Sequence, residues 1–292
     1  MDPRTRKLAQ LVVRKCIKAK PNENIIIKGN AEAIPFLTEL YKEIILQKAN
    51  PIVQISLPDT SDFFYKYATK EQIENFPDYW FDTVKQAKGY VRVDTETNTR
   101  ELTNCDSKKM TTREKTNQKI RDYITDKLKW TVAAYPCLAL AQDAEMSLTE
   151  YENFVYSACL QDWTKLEKIM KNILSKFKEN SKVHLIGENV DLKFLVHGKK
   201  AKNDLDFNNM PAGEVSMAPI RESLNGWIKF EYPSIRNGKE MTDIFLKFLN
   251  GKVIESKTSK NEDYLKQILN TDENSSYVVD GKIIQENSEW KL

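Results

Sequence analysis

The first 135 residues alternate between helical and extended apolar patterns, and this alternation limits the possible folds more than any other feature. The helical stretches lie at about 8–19, 31–49 and 61–87, and the short apolar strands that follow them lie at 25–27, 52–55 and 90–93. Alternation of this kind predicts βα units around a parallel sheet. The apolar stripes of the helices are expected to face the core of that sheet.

The same pattern continues to about residue 180. Thr111-x-x-Glu114 and Ser147-x-x-Glu150 both have the form of a capping box, which predicts two helix N termini. Between them, Trp130–Tyr135 is predicted to be a strand that stops at Pro136. We therefore expect an α/β N-terminal domain with a parallel-type sheet over residues 1–180.

After residue 181 the pattern changes to short alternating strands. Phe245–Leu249, then Asn250-Gly251, then Val253–Lys257 predicts a β-hairpin, because Asn-Gly accepts the positive φ angles of a type I′ turn. Val278–Ile284 has the same form, and a short helix is expected at about 261–269. The sequence therefore predicts an α+β, mostly antiparallel domain over residues 181–292.

Composition and charge narrow the classes of function. The chain has 292 residues and a net charge of +3 with acidic and basic residues mixed, so nucleic acid is not an expected partner. No stretch approaches the roughly 20 apolar residues that span a bilayer, and the N terminus lacks an apolar signal core. Four scattered cysteines indicate a reducing compartment. We expect a cytoplasmic protein with no membrane partner.

Few residues in the sequence point to chemistry by themselves. No phosphate-binding loop, nucleophile elbow or HExxH pair is present, and the two histidines, His184 and His197, lie in predicted strands. Glu214 follows a Pro-Ala-Gly turn at the start of a strand, where a carboxylate could act as a ligand for a hard metal or as a general base. An ordinary glutamate at the edge of a loop is the alternative.

Several segments together carry a resemblance to a known family. They are Trp130–Pro136 with Ala141–Ser147, Gly187–Leu192, and Asn209–Val215 with Ala218–Pro219. In this order they resemble the W…YP…AQ.AGMS, GEGTDL and NMP-x-GEV…AP segments of the aminopeptidase T and aminopeptidase S family. Glu145 departs from the pattern, since the family usually has glycine there. The resemblance extends over nearly the whole chain, to about Tyr277.

The resemblance implies a metal-dependent aminopeptidase, a protease that removes N-terminal residues from peptides. It implies two divalent ions (Zn, Co or Mn) in the C-terminal domain, and a homodimer. Glu214 matches the family's first metal-binding glutamate, and Asp280 stands where the second is expected. No catalytic residue is assigned.

One departure concerns the rest of the metal site. The family pattern continues with two histidines, a tyrosine and an aspartate, whereas no histidine follows His197 in this sequence. We therefore expect that the chain stops before most of the metal ligands, so that its domain is incomplete and its activity impaired. The alternative is a non-catalytic homologue that acts as a peptide-binding or dimerisation module.

Overall fold

The structure is a computed structural model that describes residues 2–197, 202–203, 207–236, 239–271 and 274–277. The described residues form two compact units. One consists of residues within Met1–Asp162 and Leu205–Ala212, and the other of residues within Trp163–Asp204 and Gly213–Leu292. The domain limits expected from the sequence, 1–180 and 181–292, remain a prediction.

The helices and strands of the described residues are numbered in chain order. The helices are α1 Pro3–Leu11, α2 Ile34–Leu46, α3 Thr60–Tyr67, α4 Lys70–Glu74, α5 Asp78–Gln86, α6 Ser107–Lys127, α7 Leu138–Asp143, α8 Leu148–Cys159, α9 Trp163–Leu174 and α10 Glu262–Leu269. The strands are β1 Asn24–Asn30, β2 Asn50–Ser56, β3 Gly89–Asp94, β4 Lys129–Ala134, β5 Glu179–Gly187, β6 Val190–His197, β7 Lys202–Asn203, β8 Asn209–Met210, β9 Val215–Ser216, β10 Asn225–Lys229, β11 Ser234–Arg236, β12 Lys239–Met241, β13 Phe245–Leu249 and β14 Lys252–Lys257.

The first unit is built on a five-stranded parallel sheet in the order β2-β1-β3-β4-β8. Each of the first four strands contains a short apolar run, which suits a strand that is covered on both faces. The parallel sheet expected from the helix and strand alternation is confirmed. The strand β8 is not predictable from local sequence, because a two-residue strand carries no periodicity.

Helices cover both faces of this sheet. On one face, Ile26 of β1 packs with Phe81 and Val84 of α5 and with Ile120 of α6. On the opposite face, the segment that leads into α2 lies close to the β1 backbone. A Cβ atom added at Gly29 would lie 2.8 Å from the Cβ atom of Ala33, which leaves no room for a larger residue at Gly29. The order of the strands and these two layers of helices form a doubly wound α/β unit.

One predicted helix start is confirmed and one is wrong. Ser147 and Glu150 form the expected capping box at the start of α8. The helix expected to open at Thr111 begins instead at Ser107, and the side chain of Asp106 caps it by accepting from the Lys108 N–H. Thr111 lies inside α6, where its hydroxyl donates to the Ser107 carbonyl at 2.9 Å. A threonine can satisfy its hydroxyl on the preceding turn, so the Thr-x-x-Glu spacing does not by itself mark an N terminus.

The second unit contains a five-stranded antiparallel sheet in the order β14-β13-β10-β6-β5. Its core joins Leu192, Leu246 and Phe248 of the sheet to Tyr264 and Leu265 of α10. The mostly antiparallel sheet predicted for the C-terminal part is therefore confirmed.

The β13–β14 hairpin and the short helix α10 lie where the sequence predicts them. Asn250 and Gly251 of the hairpin turn have φ angles of +50° and +77°, as a type I′ turn requires. The second predicted hairpin, Val278–Ile284, lies outside the described residues.

Candidate functional site

The segment that leads to Glu214 is held against the parallel sheet of the first unit. The Val132 N–H donates to the Asn208 carbonyl at 2.8 Å, and the Thr131 hydroxyl donates to the Phe207 carbonyl at 2.7 Å. Thr131 is fully buried, so its hydrogen bond is protected from water. These two bonds set the register of β8 immediately before the Pro-Ala-Gly turn.

A glycine turn then brings the chain to Glu214. Gly213 has a φ of +110°, a backbone conformation that side chains disfavour, and its Cβ position would lie 3.7 Å from Cζ3 of Trp163. Glu214 follows directly and is partly buried, and the next residues form β9, which pairs antiparallel with β7. Glu214 therefore lies between a glycine turn and a paired strand, which limits the directions its carboxylate can take.

The other predicted ligand, Asp280, lies outside the described residues. The described chain leads toward it through Asn274–Tyr277, which lies along β14. The Val253 N–H donates to the Ser276 carbonyl at 2.8 Å, and the Arg221 guanidinium lies 4.3 Å from the centre of the Tyr277 ring. Arg221 also donates to the Asn274 side chain at 2.9 Å. Arg221 was not singled out from the sequence, because its partners are distant along the chain.

Both histidines lie on the β5–β6 ladder and contact carboxylates. His184 Nε2 lies 2.8 Å from Asp191 Oδ1, and His197 Nδ1 is hydrogen-bonded to Glu179 Oε1. In each pair the two residues belong to adjacent strands, so the contacts cross the ladder. This agrees with the interpretation of both as sheet residues.

The described residues do not by themselves provide a complete metal site. Over the ranges that the structure describes, no three His, Cys, Asp or Glu side chains come together as a group that could hold a metal ion. Glu214 offers one carboxylate, which is fewer than the three or four protein ligands that zinc takes. The described donor set therefore does not fit two divalent ions.

Comparison with known proteins decides the family. The family model of the thermophilic metalloproteases, Peptidase M29, matches residues 1–290. The chain belongs to the M29 family. The resemblance to aminopeptidase T and aminopeptidase S is confirmed by the relatives of this M29 chain.

Two relatives and one solved structure bear the names of aminopeptidases. Aminopeptidase AmpS of Bacillus subtilis (strain 168) is 23% identical over 315 residues, which cover 95% of the M29 chain and 77% of AmpS. Aminopeptidase T of Thermus thermophilus is 35% identical over 65 residues, or 22% of the chain and 16% of that relative. The structure of wild-type AmpT from Thermus thermophilus matches with a TM-score of 0.79 at 19% identity, over 94% of the chain and 76% of AmpT.

A more distant structure shows how widely the fold is used. A 2,5-dihydroxypyridine dioxygenase from Pseudomonas putida KT2440 matches with a TM-score of 0.50 at 11% identity. The match covers 94% of the M29 chain and 74% of the dioxygenase. At this identity the likeness concerns the fold alone. Across the described part of the M29 chain, every helix is too short or too polar to cross a bilayer.

Proposed function

We propose that this M29 chain is a metal-dependent aminopeptidase that releases the N-terminal residue of peptides. The observation that carries the proposal is the match of residues 1–290 to a metalloprotease family. AmpS and AmpT are named aminopeptidases, which supports cleavage at the N-terminal end of the substrate. The cofactors of this proposal are two divalent ions of Zn, Co or Mn.

Glu214 and Asp280 are the metal ligands that we propose. Carboxylate oxygens suit hard and borderline divalent cations, and the glycine turn before Glu214 holds one such group in place. Two carboxylates and water would hold two ions weakly, since structural and catalytic zinc sites use three or four protein ligands per ion. A site with Glu214 and Asp280 as its only protein ligands is therefore expected to give low turnover.

Release of nitroaniline from aminoacyl-nitroanilides tests this function. After treatment with a chelator, the purified chain should release nitroaniline only when Co²⁺, Zn²⁺ or Mn²⁺ is restored. A matched substrate with an acetylated amine should not be cleaved, because an aminopeptidase requires the free amine. Equal cleavage of the acetylated substrate, or cleavage that ignores the metal, would contradict the proposal. Absence of turnover with every metal would favour the non-catalytic peptide-binding or dimerisation module.

We also propose that the chain forms a homodimer in the cytoplasm. The edge strand β2 exposes Val53 and Ile55, and Leu57 beside it is 66% exposed, so an apolar edge is open to association. Sedimentation velocity at micromolar concentration should give a mass near twice 33.9 kDa. A single species at 33.9 kDa across the concentration range would rule out the dimer.

A further inference from the structure

A row of polar side chains crosses the parallel sheet near the carboxyl ends of its strands. Gln54 of β2, Lys28 of β1 and Arg92 of β3 are register partners, so their side chains leave the same face of the sheet side by side. The order β2-β1-β3-β4 reverses direction between β1 and β3. In open α/β sheets, ligands bind outside the carboxyl ends of the strands at this reversal.

The positive charge of Lys28 in this row is not neutralised by an acidic side chain in the described structure. In the described structure no carboxylate forms an ion pair with Lys28, which is partly buried. Burial lowers the pKa of Lys28, and the neighbouring charge of Arg92 lowers it further. A bound anionic group would stabilise the charged form of Lys28 beside the Arg92 guanidinium group.

Two buried amide groups belong to this region: Gln54 is a member of the row, and the direction of α6 places Asn117 toward the same end of the sheet. Gln54 Oε1 and Asn117 Oδ1 are buried and have no hydrogen-bond partner in the described structure. Helix α6 connects two parallel neighbours and so runs antiparallel to them, and its Ile120 packs over Ile26. Asn117 lies one helical turn from Ile120 toward the carboxyl ends of the strands. Lys28 lies two residues from Ile26 in the same direction. Rotation of either amide by 180° presents an NH2 donor instead of an oxygen.

Negative charge lies farther out, at the ends of the strands. Asp94 Oδ1 lies 3.6 Å from the Arg92 guanidinium, and Glu96 follows two residues later. Partial burial of the Glu96 carboxyl group raises its pKa, and the negative charge of Asp94 raises it further. The backbone of Glu96 is fixed because its carbonyl accepts from the Cys137 thiol at 3.1 Å.

Beside this charged column is a small apolar surface. Val132 and Ala134 of β4 are the register partners of Arg92 and Asp94, and both are partly exposed. The region outside these strand ends, called the crevice from here on, therefore has a positive inner end, a negative outer end and an apolar side. A plain phosphate dianion would be repelled by the outer carboxylates, whereas a zwitterion satisfies both ends.

We propose that this crevice binds a free α-amino acid with an apolar side chain. Its carboxylate accepts from Lys28 and Arg92, its ammonium group donates to Asp94 and Glu96, and its side chain contacts Val132 and Ala134. The proposed binding residues do not include Glu214 or Asp280, and no metal ion takes part in the proposed contacts. A free amino acid is also the product of the proposed peptidase, but binding does not require that activity.

Calorimetric titration of the metal-free chain with L-leucine tests the proposal. A chelator in the buffer separates the result from that of the peptidase assay. We expect saturable binding of L-leucine, and binding at least about tenfold weaker for leucine amide and for 4-methylpentanoate, which each lack one charged group. Equal binding of 4-methylpentanoate, or absence of L-leucine binding at millimolar concentration, would overturn the proposal.

A pair of lysine variants assigns the binding to this crevice. Lys28→Met keeps the length of the side chain and removes a partly buried charge, so the fold should tolerate it. We expect at least a tenfold loss of affinity for L-leucine, while Lys193→Met, on an exposed position of β6, should bind as the unaltered chain does. Circular dichroism confirms that both variants are folded. Unchanged affinity in Lys28→Met would overturn the assignment.

Discussion

Replacing Gly226 with alanine is expected to destabilise the antiparallel sheet of the second unit by more than about 3 kcal/mol. Gly226 has a φ of +120°, and an added Cβ atom would lie 1.9 Å from the Asp191 carbonyl oxygen. Neither the added Cβ atom nor the Asp191 carbonyl oxygen can move away without disturbing the β10–β6 ladder, because Gly226 pairs with Leu192 there. Urea unfolding followed by far-UV circular dichroism should show a large fall in the transition midpoint.

Gly187→Ala is the matched control for this prediction. An added Cβ atom there would lie 3.2 Å from Cγ1 of Val190, a side-chain atom that can shift, and Gly187 does not have a positive φ. We expect a loss below about 1 kcal/mol. If Gly226→Ala unfolded at the same urea concentration as Gly187→Ala, the β6–β10 pairing would be incorrect.

Replacing Glu214 with glutamine is expected to weaken metal binding by at least roughly 10- to 100-fold. Loss of a residue that only supports a metal ligand already has an effect of this size, and Glu214 is proposed as a direct ligand. Glutamine keeps the size of the side chain but removes the negative charge that a divalent cation requires. Nitroaniline release should fall with metal affinity. Equilibrium dialysis against Co²⁺ or Zn²⁺, with metal content measured in each compartment, gives the affinity.

Glu222→Gln is the control for the loss of one charge. Glu222 lies in the short helical turn Arg221–Ser223 of the same unit and is exposed. Its substitution should leave metal affinity unchanged, because exposed surface charges contribute little at a distance. Equal metal affinity of Glu214→Gln and the unaltered chain would remove Glu214 from the site.

Local patterns explain which parts of the fold were predictable. The apolar runs of β1 to β4 and the Asn250-Gly251 turn are encoded by adjacent residues, so their structures follow from periodicity and turn chemistry. The strand β8 depends on pairing with β4 across a long stretch of chain, and no local pattern encodes it. Long-range pairing is thus the part of the fold that local sequence does not encode.

The candidate sites differ in the same way. Glu214 was identified through resemblance, since its turn alone did not distinguish a ligand from a loop glutamate. The row of Lys28 and Arg92 was missed, although Lys28 lies in β1 directly after three buried isoleucines. Its position is a usable signal, because a lysine within a buried strand is rare unless it has a partner or a ligand.

We propose that the Glu214 carboxylate binds the metal directly. A crystal structure of the chain grown with Mn²⁺ or Zn²⁺, with anomalous scattering recorded at the metal edge, tests it. We predict an anomalous peak at about 2.0–2.2 Å from a Glu214 carboxylate oxygen. A bound metal with Glu214 outside its coordination sphere, or a Glu214 carboxylate paired with a lysine while metal occupies another position, would contradict the account.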